Sequence, residues 1–101
     1  MNKAPLLTLA LLAASSMVRA SPELAAKKNC LACHSIDKKI VGPAYRDVAT
    51  KYAGQAGAAA MLAAKIQKGG VGVWGQIPMP ANQVTPDEAK QLATWVLTLK
   101  K

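Results

Sequence analysis

The sequence predicts an all-α fold, and three observations carry that prediction. No run of alternating β-branched residues is long enough to demand a sheet. Stretches of helix-forming residues bring their own start and stop signals. The chain is also short of bulky apolar residues: of 101 residues none is Phe, and the aromatics are Tyr45, Tyr52, Trp74 and Trp95, against a background of alanine. One small domain of about four short helices fits this length, and a domain of that size generally needs a staple beyond its own core. The missing bulk points to a large apolar group that is not an amino acid.

The first twenty residues read as a leader. "MNKAPLLTLALLAASSMVRA" has Lys3 at its start, an apolar run from Leu6 to Ala14, and a small residue at Ala20 before Ser21. That is the layout of a secretory signal peptide, cleaved after Ala20. The apolar run is well short of the roughly 20 residues a membrane-spanning helix requires. The expected division is therefore 1–20 leader and 21–101 mature domain. Of 13 basic residues, 11 remain after loss of Lys3 and Arg19, against 5 acidic ones, a formal balance of +6. Export argues against nucleic acid as the partner. The lysines fall in scattered pairs rather than one block, so a solvated surface or weak docking of acidic proteins fits better.

The elements follow in order. Ser21 reads as an N-cap with Pro22 at the first helical position, opening a short helix, "LAAKKNC", that delivers the cysteines on its last turn. "SIDKKIVGPA" reads as a loop because of Gly42-Pro43. Tyr45, Val48, Ala49 and Tyr52 share one face of a second helix, closed by Gly54. "AGAAAMLAAKIQKGG" makes a third, ended by Lys65, Lys68 and Gly69-Gly70. "GGVGVWGQIPMPANQV" holds four glycines and two prolines and reads as a long structured loop. The last helix opens on a capping box, Thr85 with Glu88, and Pro86 fits its first position. Ala89, Leu92, Val96 and Leu99 form its apolar stripe, with Trp95 beside it.

Chemistry is concentrated in "KKNCLACHSI", which holds both cysteines, Cys30 and Cys33, and the only histidine, His34. A disulfide or dithiol redox pair suits an exported chain but gives His34 no role and lacks a surrounding βαβ pattern. A zinc site lacks further Cys or His ligands. Cys-x-x-Cys-His also marks c-type haem attachment, in which the thiols add to the two vinyl groups and the imidazole is the proximal ligand. That reading also accounts for the missing aromatic bulk. For the second axial position there are two methionines outside the leader. Met61 lies within a helix among alanines and leucines, where core packing is its expected role. Met79, in "IPMPAN", is flanked by Pro78 and Pro80, which fix φ on either side and favour ligation over gap filling.

Together these stretches, "SPELAAKKNCLACH", "VGPAYRDVATKYAGQAG", "GVWGQIPMPAN" and "EAKQLATWVL", resemble the small class I cytochromes c of the bacterial cytochrome c-551 (cytochrome c8) type across the mature chain. The resemblance implies a small monohaem class I cytochrome c fold, with terminal helices crossing and short helices lining one covalent haem c. It implies thioether anchors at Cys30 and Cys33 and axial ligands at His34 and Met79. It further implies that the Pro43 carbonyl accepts the His34 imidazole proton, that Trp74 donates to a haem propionate, and that the Asn82 amide reaches toward the Met79 sulfur. Three departures stand out: Lys65 replaces a more usual arginine near a propionate, Ala81 replaces a second proline, and Ala25 replaces an aromatic whose volume Leu31 or Met61 is expected to fill. The function implied is that of a monomeric periplasmic electron carrier, not an enzyme. The donor would be a cytochrome bc1 complex or a blue copper protein, and the acceptor cytochrome cd1 nitrite reductase or a terminal oxidase. A small haem peroxidase or gas-binding domain, and a haemless module with a Cys30–Cys33 disulfide, are the rival readings.

Overall fold

A computed structural model describes residues 16–100, with the backbone alone for 16–20. It has four α-helices: α1 (Ser16–Lys27), α2 (Tyr45–Lys51), α3 (Ala58–Lys68) and α4 (Pro86–Leu97), with a 3₁₀ turn over Cys30–Ala32 between α1 and α2. Among the described residues β-pairing is limited to two isolated bridges, His34 with Lys39 and Gly70 with Met79. No helix of the described residues is long and apolar enough to cross a membrane. Most of the expected leader, residues 1–15, lies outside the described residues.

Two expectations about α1 need correction. The helix does not start at Ser21: its backbone is already helical from Ser16, Pro22 stands inside it, and Ser21 is buried. A serine followed by proline is a local start signal, but it does not forbid helix upstream, because proline removes only its own amide donor and crowds one earlier carbonyl. Nor do the cysteines ride on the last turn of α1. Asn29 adopts a left-handed conformation, φ 64°, which ends the helix, and Cys30 opens a separate 3₁₀ turn. Asparagine tolerates this geometry better than most side chains.

The other three helices form where the signals place them. α4 carries its complete capping box: the Glu88 amide donates to Thr85 Oγ1 at 3.1 Å, and the Thr85 amide donates to Glu88 Oε1 at 2.9 Å. Tyr45, Val48 and Ala49 of α2 and Ala89, Leu92, Ala93 and Val96 of α4 are buried. α4 is the hub, packing against α1, α2 and α3. The fully buried residues of α1 and α4 are alanines, Ala25, Ala89 and Ala93, so the two backbones can approach closely. Neither residue expected to fill the volume at Ala25 is buried: Leu31 is exposed and Met61 only half-buried on α3. Lys28, just past α1, pairs with Glu88 of α4 at 3.5 Å. Arg46 ties three segments: its guanidinium pairs with Asp37 and donates to the Leu99 carbonyl at 3.1 Å.

No large side chain among the described residues is fully buried. The core cluster is small, Tyr45, Val48 and Val96, with Cys30, Ile36, Tyr52, Leu62, Trp95 and Leu99 packed around it. It lies along one wall of a cavity.

Candidate haem site

The cavity has a volume of about 400 Å³ and is bounded by the 3₁₀ turn, α2, α3, α4 and the glycine-rich loop. Cys30, Cys33, His34 and Met79 all line it, as do Lys65, Trp74 and Asn82. A wider, more open depression behind α3 and α4 is floored by alanines and carries no thiol, imidazole or thioether.

Each site residue is placed by backbone contacts. The 3₁₀ turn hydrogen-bonds both the Cys33 and His34 amides to the Cys30 carbonyl, at 3.1 and 3.0 Å. The Gly42 amide then donates to the Cys33 carbonyl at 2.6 Å, folding the following loop back onto the motif. His34 Nδ1 lies 2.8 Å from the Pro43 carbonyl oxygen. A carbonyl only accepts, so Nδ1 carries the proton, and Nε2 is left with a free lone pair. The ring stacks on Tyr45 at a centroid distance of 4.9 Å, and Tyr45 meets Trp95 edge-on at 5.5 Å, so the imidazole is held through two aromatic contacts to α4. A Cβ on Gly42 would stand 2.6 Å from His34 Cε1. Gly42 was legible only as a loop residue; its real constraint is this ring.

Across the cavity, Met79 is fixed by its backbone. Its amide donates to the Gly70 carbonyl at 2.8 Å and its carbonyl accepts from the Gly70 amide at 3.0 Å. Gly69 precedes this rung at φ +77°, and a Cβ there would collide with the Met79 carbonyl. The Asn82 amide is engaged by backbone carbonyls, that of Ile66 at the end of α3 among them. Asn82 Nδ2 donates to the carbonyls of Ile66 at 3.0 Å and Pro80 at 3.3 Å, and its backbone amide donates to Ile66 at 3.2 Å. The reason is the end of α3: its last carbonyls lack helical partners, and Asn82 satisfies one of them. Lys65 lies along Gly70, with its ammonium where a Gly70 side chain would begin.

The residues fit a haem. Val41, Val71, Val73, Trp74 and Ile77 line the cavity, yet each is between 41 and 64% exposed, which is costly for so continuous an apolar surface unless a large apolar group covers it. Among the described residues no three His, Cys, Asp or Glu side chains converge on a point where they could hold a metal ion directly. Burial pushes the Cys30 thiol above its ordinary range, only partly offset by a hydrogen bond with Tyr45. A nucleophilic redox cysteine is shifted the other way. The Tyr45 hydroxyl is likewise pushed up, first by burial and then by the Cys30 thiol beside it.

Comparison with known proteins agrees with this geometry. The cytochrome c family model matches residues 18–100. Cytochrome c-551 of Pseudomonas aeruginosa is 62% identical over 80 residues, covering 78% of this chain and 77% of that one. Cytochrome c-552 of Hydrogenobacter thermophilus is 52% identical over 94 residues, covering 93% and 96%. The crystal structure of wild-type Nitrosomonas europaea cytochrome c552 superposes with a TM-score of 0.77 at 56% identity, covering 78% of this chain and 99% of that one. With the Cys30-x-x-Cys33-His34 turn facing Met79 across an apolar cavity, and with these relatives over most of its length, the chain belongs to the cytochrome c family of small electron carriers that hold haem covalently.

Proposed function

We propose that the chain is a periplasmic one-electron carrier whose haem c is bound by thioethers at Cys30 and Cys33 and ligated axially by His34 and Met79. One observation carries the reading: the imidazole, with Nδ1–H committed to Pro43, and the thioether, with its backbone clamped to Gly70, line the same cavity as the two thiols. Haem, when bound, supplies an iron that gains and loses one electron.

The protein's part is to hold donors still. The Pro43 carbonyl keeps His34 in one tautomer and orientation and raises its basicity as a ligand. Tyr45 braces the ring from its face. The Gly70 rung holds Met79 at a fixed depth. Holding the iron with the His34 imidazole and the Met79 thioether would leave neither side chain needing to move on electron transfer and would leave no room for a substrate. A Met/His pair also sets the potential high relative to many other ligand sets. Trp74 Nε1–H and the Lys65 ammonium, both on the cavity wall, are the groups to receive the propionates. Lysine offers a point charge there rather than a planar fork, which makes this contact looser than an arginine would.

Residues 1–20 act as a cleaved leader in this reading, and the mature chain works as a monomer. Resemblance to the cytochrome c-551 group supports a cytochrome bc1 complex or a blue copper protein as donor. It supports cytochrome cd1 nitrite reductase or a terminal oxidase as acceptor. Scattered lysines would steer these encounters, so transfer rates fall with added salt.

The test is the visible spectrum of the periplasmic protein, oxidised, reduced, and reduced under carbon monoxide, beside Met79→Ala. A closed site gives a low-spin spectrum that carbon monoxide leaves unchanged in the parent and shifts in the variant. A parent that binds carbon monoxide would return the site to the peroxidase or gas-binding reading, and a colourless protein would remove the cofactor from the account.

A further inference from the structure

α2 ends at Lys51, and its ammonium stands 5.7 Å from the centroid of the Tyr52 ring and 5.7 Å from that of the Trp74 ring. Both lie within the reach at which a cation is held by an aromatic face. The two rings differ in kind. Tyr52 is half-buried and packs against the core cluster, so it is an anchor. Trp74 is 41% exposed and belongs to the glycine-rich loop, between Gly72 and Gly75, whose φ values are +103° and +123°. Such glycines give a loop little stiffness of its own, so contacts from outside it decide where Trp74 rests.

Within this loop the Gly70 rung holds the Met79 end, and the Gly72 amide donates to the Gly75 carbonyl at 3.0 Å across the tip. Neither contact ties the tip to the helices. Lys51 does so: a charge on α2, steadied by Tyr52, meets the aromatic face that the loop offers.

We propose that Lys51 is a positioning residue, pinning the Trp74 ring by a cation–π contact and thereby holding the Met79 loop closed across the haem cavity. The proposal rests on the reading of Met79 as ligand. Its consequence is that the loop opens more often when the charge is removed, although Lys51 touches neither Met79 nor the iron's ligands.

Neutral imidazole competes with Met79 in the oxidised holoprotein, so its affinity reports how readily the loop releases the sulfur. Lys51→Met keeps the aliphatic stem and removes the charge; its imidazole affinity should rise about fivefold, the equivalent of a partly exposed cation–π contact. Lys51→Arg, which stacks on the same rings, should stay within about twofold of the parent. In a Trp74→Leu background Lys51→Met should have no further effect. An unchanged affinity in Lys51→Met, or the same rise in the Trp74→Leu background, would overturn the assignment. Amide exchange at Met79 N–H gives a second readout that does not depend on ligation: Lys51→Met should accelerate it, and equal exchange would count against Lys51. If Met79→Ala left the parent spectrum unaltered, the ligand reading would fall, and the exchange experiment would still decide whether Lys51 holds the loop.

Discussion

Gly42 owes its identity to a ring and not to a torsion. Its backbone lies outside the positive-φ region, and the space a side chain would take is filled by the His34 imidazole. Gly42→Ala must push the ring off its Pro43 acceptor or shift the loop, an overpacking cost of about 1–3 kcal/mol. Thermal unfolding and the low-spin fraction of the spectrum should both fall. Gly69 and Gly54 form a controlled pair: both have φ near +75°, but only at Gly69 does a Cβ meet backbone, that of Met79 and Pro80. Gly54→Ala should cost only left-handed strain, about 1–2 kcal/mol. Gly69→Ala should cost more and also loosen Met79, which denaturant melts and imidazole affinity would separate. The candidate site residues were legible at this scale because a contiguous Cys-x-x-Cys-His and a proline-flanked methionine are local patterns, and the fold brings both to one cavity. Gly42, Lys51 and the partners of Asn82 were not, because each depends on a group that only tertiary folding brings near.

Among the elements, α4 was the most legible and α1 the least, for one physical reason. A capping box is complete within four residues, so Thr85 and Glu88 carry their meaning with them. Ser21-Pro22 is equally local but only half a signal, since a helix can pass through it. Thr85→Ala should lower stability by about 1 kcal/mol in denaturant melts. Glu88 adds a pH dependence. Its carboxyl is held below the ordinary value of 4.5, first by the Thr85 amide and then by Lys28. The stability it confers is therefore fully present above that value and is lost as pH falls through the depressed one. Glu88→Gln should flatten that part of the acid limb while leaving the curve above pH 5 parallel to the parent's, as melts across the acid range would reveal.

For the molecule as a whole, the absence of any large, fully buried side chain among the described residues leaves the helices a small core of their own. Cys30→Ala/Cys33→Ala, which prevents attachment, should leave a chain with helical signal but a broad, low-temperature transition, measured by circular dichroism and calorimetry. A sharp transition near that of the holoprotein would mean that the core suffices. This shortage was already visible in a composition with no Phe and few aromatics. Where the bulk belonged was not, because the cavity wall is assembled from segments far apart in the chain.

The Gly70–Met79 rung also makes residues 71–78 a cassette. Its two ends are joined by reciprocal backbone hydrogen bonds before any side chain is considered, and the entropy of closing a loop grows only slowly with its length. Residues can therefore be added to or removed from the tip while the backbone rung of Gly70 and Met79 stays closed, so long as the Trp74 ring keeps its place beside Lys51. The same fold can present tips of different length and polarity to the outside while the backbone of Met79 keeps one partner, which separates the evolution of the outer surface from that of the cavity.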